Sequence, residues 1–103
     1  MIAALNESQF EKEVLDSNIP VVLQFGADWC SKCRIMKRYI EELAVDNENK
    51  IRFFYVDVEA SPQLSEKHGV QSLPAIAFYK NGSLVKQKNG LLGKSGITAF
   101  IGE

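Results

Sequence analysis

Trp29-Cys30-Ser31-Lys32-Cys33 holds both cysteines of the chain and its single tryptophan. Two thiols separated by two residues can close a disulfide across one helical turn. The natural chemistry of such a pair is redox exchange, in which a thiolate attacks a sulfur of another disulfide. The competing use of two thiolates is metal binding. A structural zinc site needs four ligands, and beyond Cys30 and Cys33 the chain offers only His68 and common carboxylates. A two-thiolate copper(I) site is the remaining metal option and ranks below redox.

The pair needs a strand to deliver it and a helix to hold it, and the flanking residues supply both. Pro20 opens the run Val21-Val22-Leu23-Gln24-Phe25-Gly26, whose length and unbroken apolar character suit a strand covered on both faces. Gln24 is its one polar member. From Ser31 to about Val45 the spacing turns helical, with Ile35, Met36, Tyr39, Ile40, Leu43 and Ala44 on one stripe. Cys30 then falls at or just before the first turn, where unpaired N–H groups point outward, and Cys33 lies at the buried edge.

The other elements follow from local signals. Asn6 with Gln9 forms a capping-box pattern ahead of a helix over 7–16. Ile51 to Val58 reads as a strand. Ser61 and Pro62 open a short helix that Gly69 ends after an exposed His68. Asn81-Gly82, between 75–80 and 83–88, is a hairpin signal, and Lys86 and Lys88 mark its second arm as an edge. Ile97, Phe100 and Ile101 suggest a last helix that depends on packing. Early crossovers followed by a late hairpin give an α/β fold, a central mixed sheet with helices on both faces.

Bulk properties exclude other functions. The 103 residues are enough for one domain, expected over 1–103, and a net charge of −1 gives no bulk attraction to nucleic acid or anionic lipid. The first residues lack the basic flank and apolar length of a leader, and no run approaches membrane-spanning length. A cytoplasmic protein is expected. In a reducing cytosol a lone cysteine pair suits catalysis or metal binding better than a structural crosslink.

Four features in order, Phe25 through Cys33, Val56-Asp57-Val58, Val70 through Pro74, and Gly82 followed by Gly90, make the chain resemble the thioredoxin family over nearly its whole length. The resemblance implies a thioredoxin fold and a protein-disulfide reductase cycling between a Cys30–Cys33 disulfide and a dithiol. It makes Cys30 the attacking thiol and Cys33 the resolving one. Pro74 becomes a cis-proline facing the site, and Trp29, Leu73, Pro74 and Gly90 line a substrate groove. Its implied partners are disulfide-bearing proteins and a thioredoxin-reductase-like electron donor. No cofactor or metal is needed in the chain, and a monomer is expected.

The departures from the family pattern concern tuning. Where a buried Asp assists the resolving thiol, this chain has Gln24, an amide that cannot take up a proton at neutral pH. Ser31-Lys32 replaces Gly-Pro, Gly26 replaces a commonly larger residue, Tyr55 stands where lysine is frequent, Ala75 follows Pro74 in place of Thr, and Asn89 precedes Gly90. Lys32 adds positive charge to that of the helix end and should favour the Cys30 thiolate. Alternatively the helix charges are only surface pairs, Lys37 with Glu41 and Arg38 with Glu42. A stabilised thiolate makes the potential less reducing. The alternatives to a reductase are an oxidant or isomerase with such a potential, and a non-catalytic binding or metal-carrier module on the same fold.

Overall fold

A computed structural model describes residues 2–102. Five strands form one mixed sheet in the order β1-β3-β2-β4-β5: β1 is Ala3–Ala4, β2 Val21–Gly26, β3 Arg52–Asp57, β4 Ala75–Lys80 and β5 Ser83–Asn89. β3 runs parallel to both β1 and β2, while β4 is antiparallel to β2 and β5. The α-helices are α1 (Ser31–Asp46), α2 (Pro62–Lys67) and α3 (Lys94–Ile101). The expected mixed sheet with helices on both faces is the fold observed.

β2 is the central strand and is buried at every position. Val21, Leu23 and Phe25 face a core completed by Phe10, Val14, Leu64 and Tyr79. Val22 faces the other core, built with Met36, Ile40, Leu43 and Ile97 from α1 and α3. Each such fully buried side chain contributes about 1.5–3 kcal/mol of transfer free energy, so burial on both sides pins β2 and the segment that follows it.

Several boundaries differ from the sequence reading. Residues 7–16 do not make one α-helix. A 3-10 turn over Glu7–Gln9 carries the expected capping box, and a π-type turn over Glu11–Leu15 follows, closed by Asp16 N–H to the Glu11 carbonyl at 2.9 Å. The wider turn brings Phe10 and Val14 onto the sheet together. β1 has no sequence signature, being two exposed alanines held by pairing to Phe54 and Tyr55. On α1 the fully buried line is Cys33, Met36, Ile40 and Leu43, and Ile35 is exposed.

The hairpin forms as expected, with Asn81 and Gly82 both at positive φ (51° and 79°) and β5 at the sheet edge. A Cβ on Gly82 would stand 2.6 Å from the Leu15 carbonyl oxygen, so glycine is required there by space as well as by conformation.

His68, expected to be exposed, is only 9% accessible. Its Nδ1 lies 2.8 Å from the Leu64 carbonyl oxygen and its Nε2 2.7 Å from the Tyr79 hydroxyl. A carbonyl can only accept, so Nδ1 carries the proton and Nε2 accepts from Tyr79. Phe10 and Phe25 pack against the imidazole, with centroids at 5.7 and 4.9 Å.

Candidate active site

β2 ends at Gly26, and the chain crosses Ala27-Asp28-Trp29 before entering α1. Cys30 is the N-cap residue of α1, and its sulfur accepts the Cys33 backbone N–H at 3.2 Å. The sulfur therefore sits where unpaired helix donors and the positive end of the macrodipole converge, the arrangement that stabilises a thiolate. Cys30 and Cys33 are joined as a disulfide with their Cα atoms 5.2 Å apart. Cys30 is 7% exposed and Cys33 is fully buried, so an incoming reactant meets Cys30 first.

Around this bond the two sides of the site differ. On the outer side Trp29 is 67% exposed, and its indole N–H donates to Glu59 Oε2 at 2.8 Å. Glu59 is itself held by a turn in which Asp57 Oδ1 accepts the Glu59 N–H at 2.9 Å. Trp29, Val58, Val70, Gln71, Ser72 and Leu73 line a shallow groove of about 280 Å³. Of the expected groove residues, Trp29 and Leu73 line it. Pro74 is buried, its bond to Leu73 is cis, and its carbonyl accepts the Gly90 N–H at 2.8 Å, with Gly90 at φ 103°. Lys32 projects from the first turn of α1 and is exposed. Glu59, Gln71 and Ser72 escaped the sequence reading, because nothing local ties a turn residue to an indole thirty positions away.

On the inner side Gln24 is fully buried and donates from Nε2 to the Cys33 carbonyl at 2.9 Å. Its Oε1 is buried without a hydrogen-bond partner. Tyr55 is the register partner of Gln24 on β3, and Lys37 Nζ lies 4.7 Å from its ring centroid. Burial holds the Tyr55 phenol above its ordinary pKa, reinforced by Asp57 and Asp28 and opposed by Arg34. Glu42, one of the surface residues expected to pair within α1, reaches Lys94 of α3 at 2.9 Å.

This is a reversible disulfide at a helix N-terminus beside an open groove, and comparison with known proteins agrees with it. A family model described as Thioredoxin matches residues 1–103. The chain belongs to the thioredoxin family. The thioredoxin of Rickettsia bellii is 35% identical over 101 residues, covering 98% of this chain and 96% of that protein. Thioredoxin 1 of Nostoc sp. is 33% identical over 99 residues, covering 96% and 92%. The chloroplastic thioredoxin M-type of Pisum sativum is 33% identical over 92 residues, covering 89% of this chain and 52% of that protein. As a thioredoxin-family chain with its cysteine pair at bonding distance, it is a thiol-disulfide oxidoreductase, a protein-disulfide reductase acting on disulfide-bearing proteins.

Proposed function

We propose that Cys30 is the attacking thiolate and Cys33 the resolving thiol. The carrying observation is that the Cys30 sulfur, and not that of Cys33, caps α1 and borders solvent. Cys30 attacks one sulfur of a protein disulfide, forming a mixed disulfide and releasing the other sulfur as a thiol. Cys33 then attacks Cys30, forming the Cys30–Cys33 bond and releasing the second substrate thiol. Two electrons pass from the dithiol to the substrate, and a thioredoxin-reductase-like donor returns them.

In this reading Trp29, Leu73, Pro74 and Gly90 hold the substrate polypeptide, with Trp29 offering a rigid exposed aromatic surface. Lys32 and Gln24 tune the two sulfurs from opposite sides. Residues 1–103 act as one domain and as a monomer in the cytoplasm, without cofactor or metal. No described helix is long and apolar enough to cross a membrane.

The test pairs turnover with trapping. The protein should accelerate reduction of insulin disulfides by dithiothreitol, and Cys33→Ser should abolish turnover while accumulating a mixed disulfide through Cys30. Accumulation through Cys33 in a Cys30→Ser protein, with none in Cys33→Ser, would reverse the assignment.

A further inference from the structure

The space beneath Cys33 is filled from an unusual direction. Gly26 closes β2 directly under α1, and a Cβ added to it would overlap the Tyr55 hydroxyl and stand 3.0 Å from the Cys33 Cβ. The phenol oxygen and the Cys33 side chain therefore share the small volume that a side chain at position 26 would otherwise occupy. Tyr55 reaches it from β3 beside Gln24, whose Oε1 is buried and unpartnered. The hydroxyl makes no hydrogen bond to another described residue. Gln24 Oε1, buried without a partner at the base of a reacting thiol, is expensive to retain. It gains a partner once the disulfide opens and Cys33 carries a proton, and the neighbouring phenol can donate when Cys33 carries a negative charge.

We propose that Tyr55, admitted by the absence of a side chain at Gly26, is a positioning residue for Cys33: its phenol O–H donates to the Cys33 thiolate, and Gln24 Oε1 accepts from the Cys33 thiol. The resolving cysteine is thereby handled by two neutral groups. No base within the protein is consumed. The Cys33 sulfur loses its proton and bonds to Cys30, the bond from Cys30 to substrate breaks, and the departing substrate thiolate takes up one proton. The charged and titratable groups facing the phenol are Asp57 at the end of β3, Asp28 in the β2–α1 loop, and Arg34 and Lys37 on α1. The two aspartates disfavour the phenolate, and burial acts in the same direction, so the O–H remains a donor through neutral pH.

The proposal rests on Cys33 as the resolving thiol, which the Cys33→Ser trap tests separately. Its own test uses Tyr55→Phe, which keeps the ring and removes the hydroxyl, and Gly26→Ala, which displaces the hydroxyl while leaving Tyr55 in the sequence. In single-turnover release from the mixed disulfide, Tyr55→Phe should be about tenfold slower, as expected for loss of a hydrogen bond to a charged group. In a Cys30→Ser background the same change should raise the Cys33 thiol pKa, read by thiolate absorbance. Gly26→Ala should reproduce both effects. Unchanged release together with an unchanged Cys33 titration overturns the proposal. Slower release with an unchanged titration also overturns it, because it marks a merely structural tyrosine. A Cys33→Ser protein that holds no mixed disulfide overturns the role assignment and the proposal with it.

Discussion

The sheet carries a polar pair on each face, and the two are built to opposite rules. On one face His68 and Tyr79 satisfy each other: Nδ1 donates to Leu64, Nε2 accepts from Tyr79, and Phe10 and Phe25 enclose them. On the other face Gln24 and Tyr55 lie side by side beneath Cys33, and Gln24 uses only its N–H end. A fully satisfied network rigidifies a core, whereas a half-satisfied one stays open to a group that changes state. The difference separates architecture from chemistry without reference to distance from a pocket.

The largest expected effect comes from breaking the satisfied pair. His68→Ala leaves a cavity and strands the Tyr79 hydroxyl, and should cost about 2–4 kcal/mol of stability. Insulin reduction per folded molecule should stay near wild type. Urea unfolding beside turnover measures both, and a stable but inactive variant would show that the face opposite α1 also serves the reaction.

Acid should do reversibly what His68→Ala does permanently. Burial is the main cause lowering the His68 pKa, with Lys67 acting in the same direction and the hydrogen bond to Leu64 opposing them. The unfolded chain then binds a proton, near its ordinary pKa of about 6.5, that the native imidazole resists. Stability from this group is present above that pH and is lost as pH falls toward the lower native pKa. Unfolding midpoints compared at pH 7.5 and 5.5 should show a decline that His68→Gln flattens. An equal decline in both proteins would assign it to other groups.

The sequence was informative where an element announces itself locally. β2, α1, the Asn81-Gly82 hairpin and the capping of Asn6 by Gln9 all follow from periodicity or turn chemistry within a few residues. Trp29, Cys30, Cys33, Leu73 and Pro74 can be singled out as candidates because the family pattern is collinear. What escaped depends on neighbours brought together by register. His68 resembles a charge suited to a helix end until Tyr79, eleven positions on and on another strand, is placed over it. Gly26 and Tyr55 stood out as two separate departures, and only the pairing of β2 with β3 makes them one exchange of volume. β1 owes its strand conformation to β3 alone.

The unsatisfied pair should respond in the reverse sense. Gln24→Leu is similar in volume, removes an amide whose Oε1 lacks a partner, and leaves Cys33 with a carbonyl that the helix itself can engage. Stability of the oxidised protein should change by no more than about 1 kcal/mol, and it could rise. Mixed-disulfide release should nevertheless slow, since the Cys33 thiol loses its acceptor. A stability loss as large as that of His68→Ala would erase the contrast between the faces.

The smallest effect should come from solvent. Lys32 is exposed on the first turn of α1, so its field at the Cys30 sulfur is screened by water and salt. Lys32→Glu should raise the Cys30 pKa and lower the thiolate fraction at neutral pH only a few-fold. Because the reduced form loses a stabilised thiolate, the potential of the couple should also become more reducing than that of the wild type, which is expected to lie above about −270 mV. Thiolate absorbance at low and high salt, with equilibration against glutathione, reads both. High salt should shrink the Lys32 effect and leave that of Tyr55→Phe on Cys33 nearly intact, since a buried hydrogen bond is screened far less than an exposed charge. Equal salt sensitivity at the two sulfurs would mean that Cys33 is governed from solvent as well.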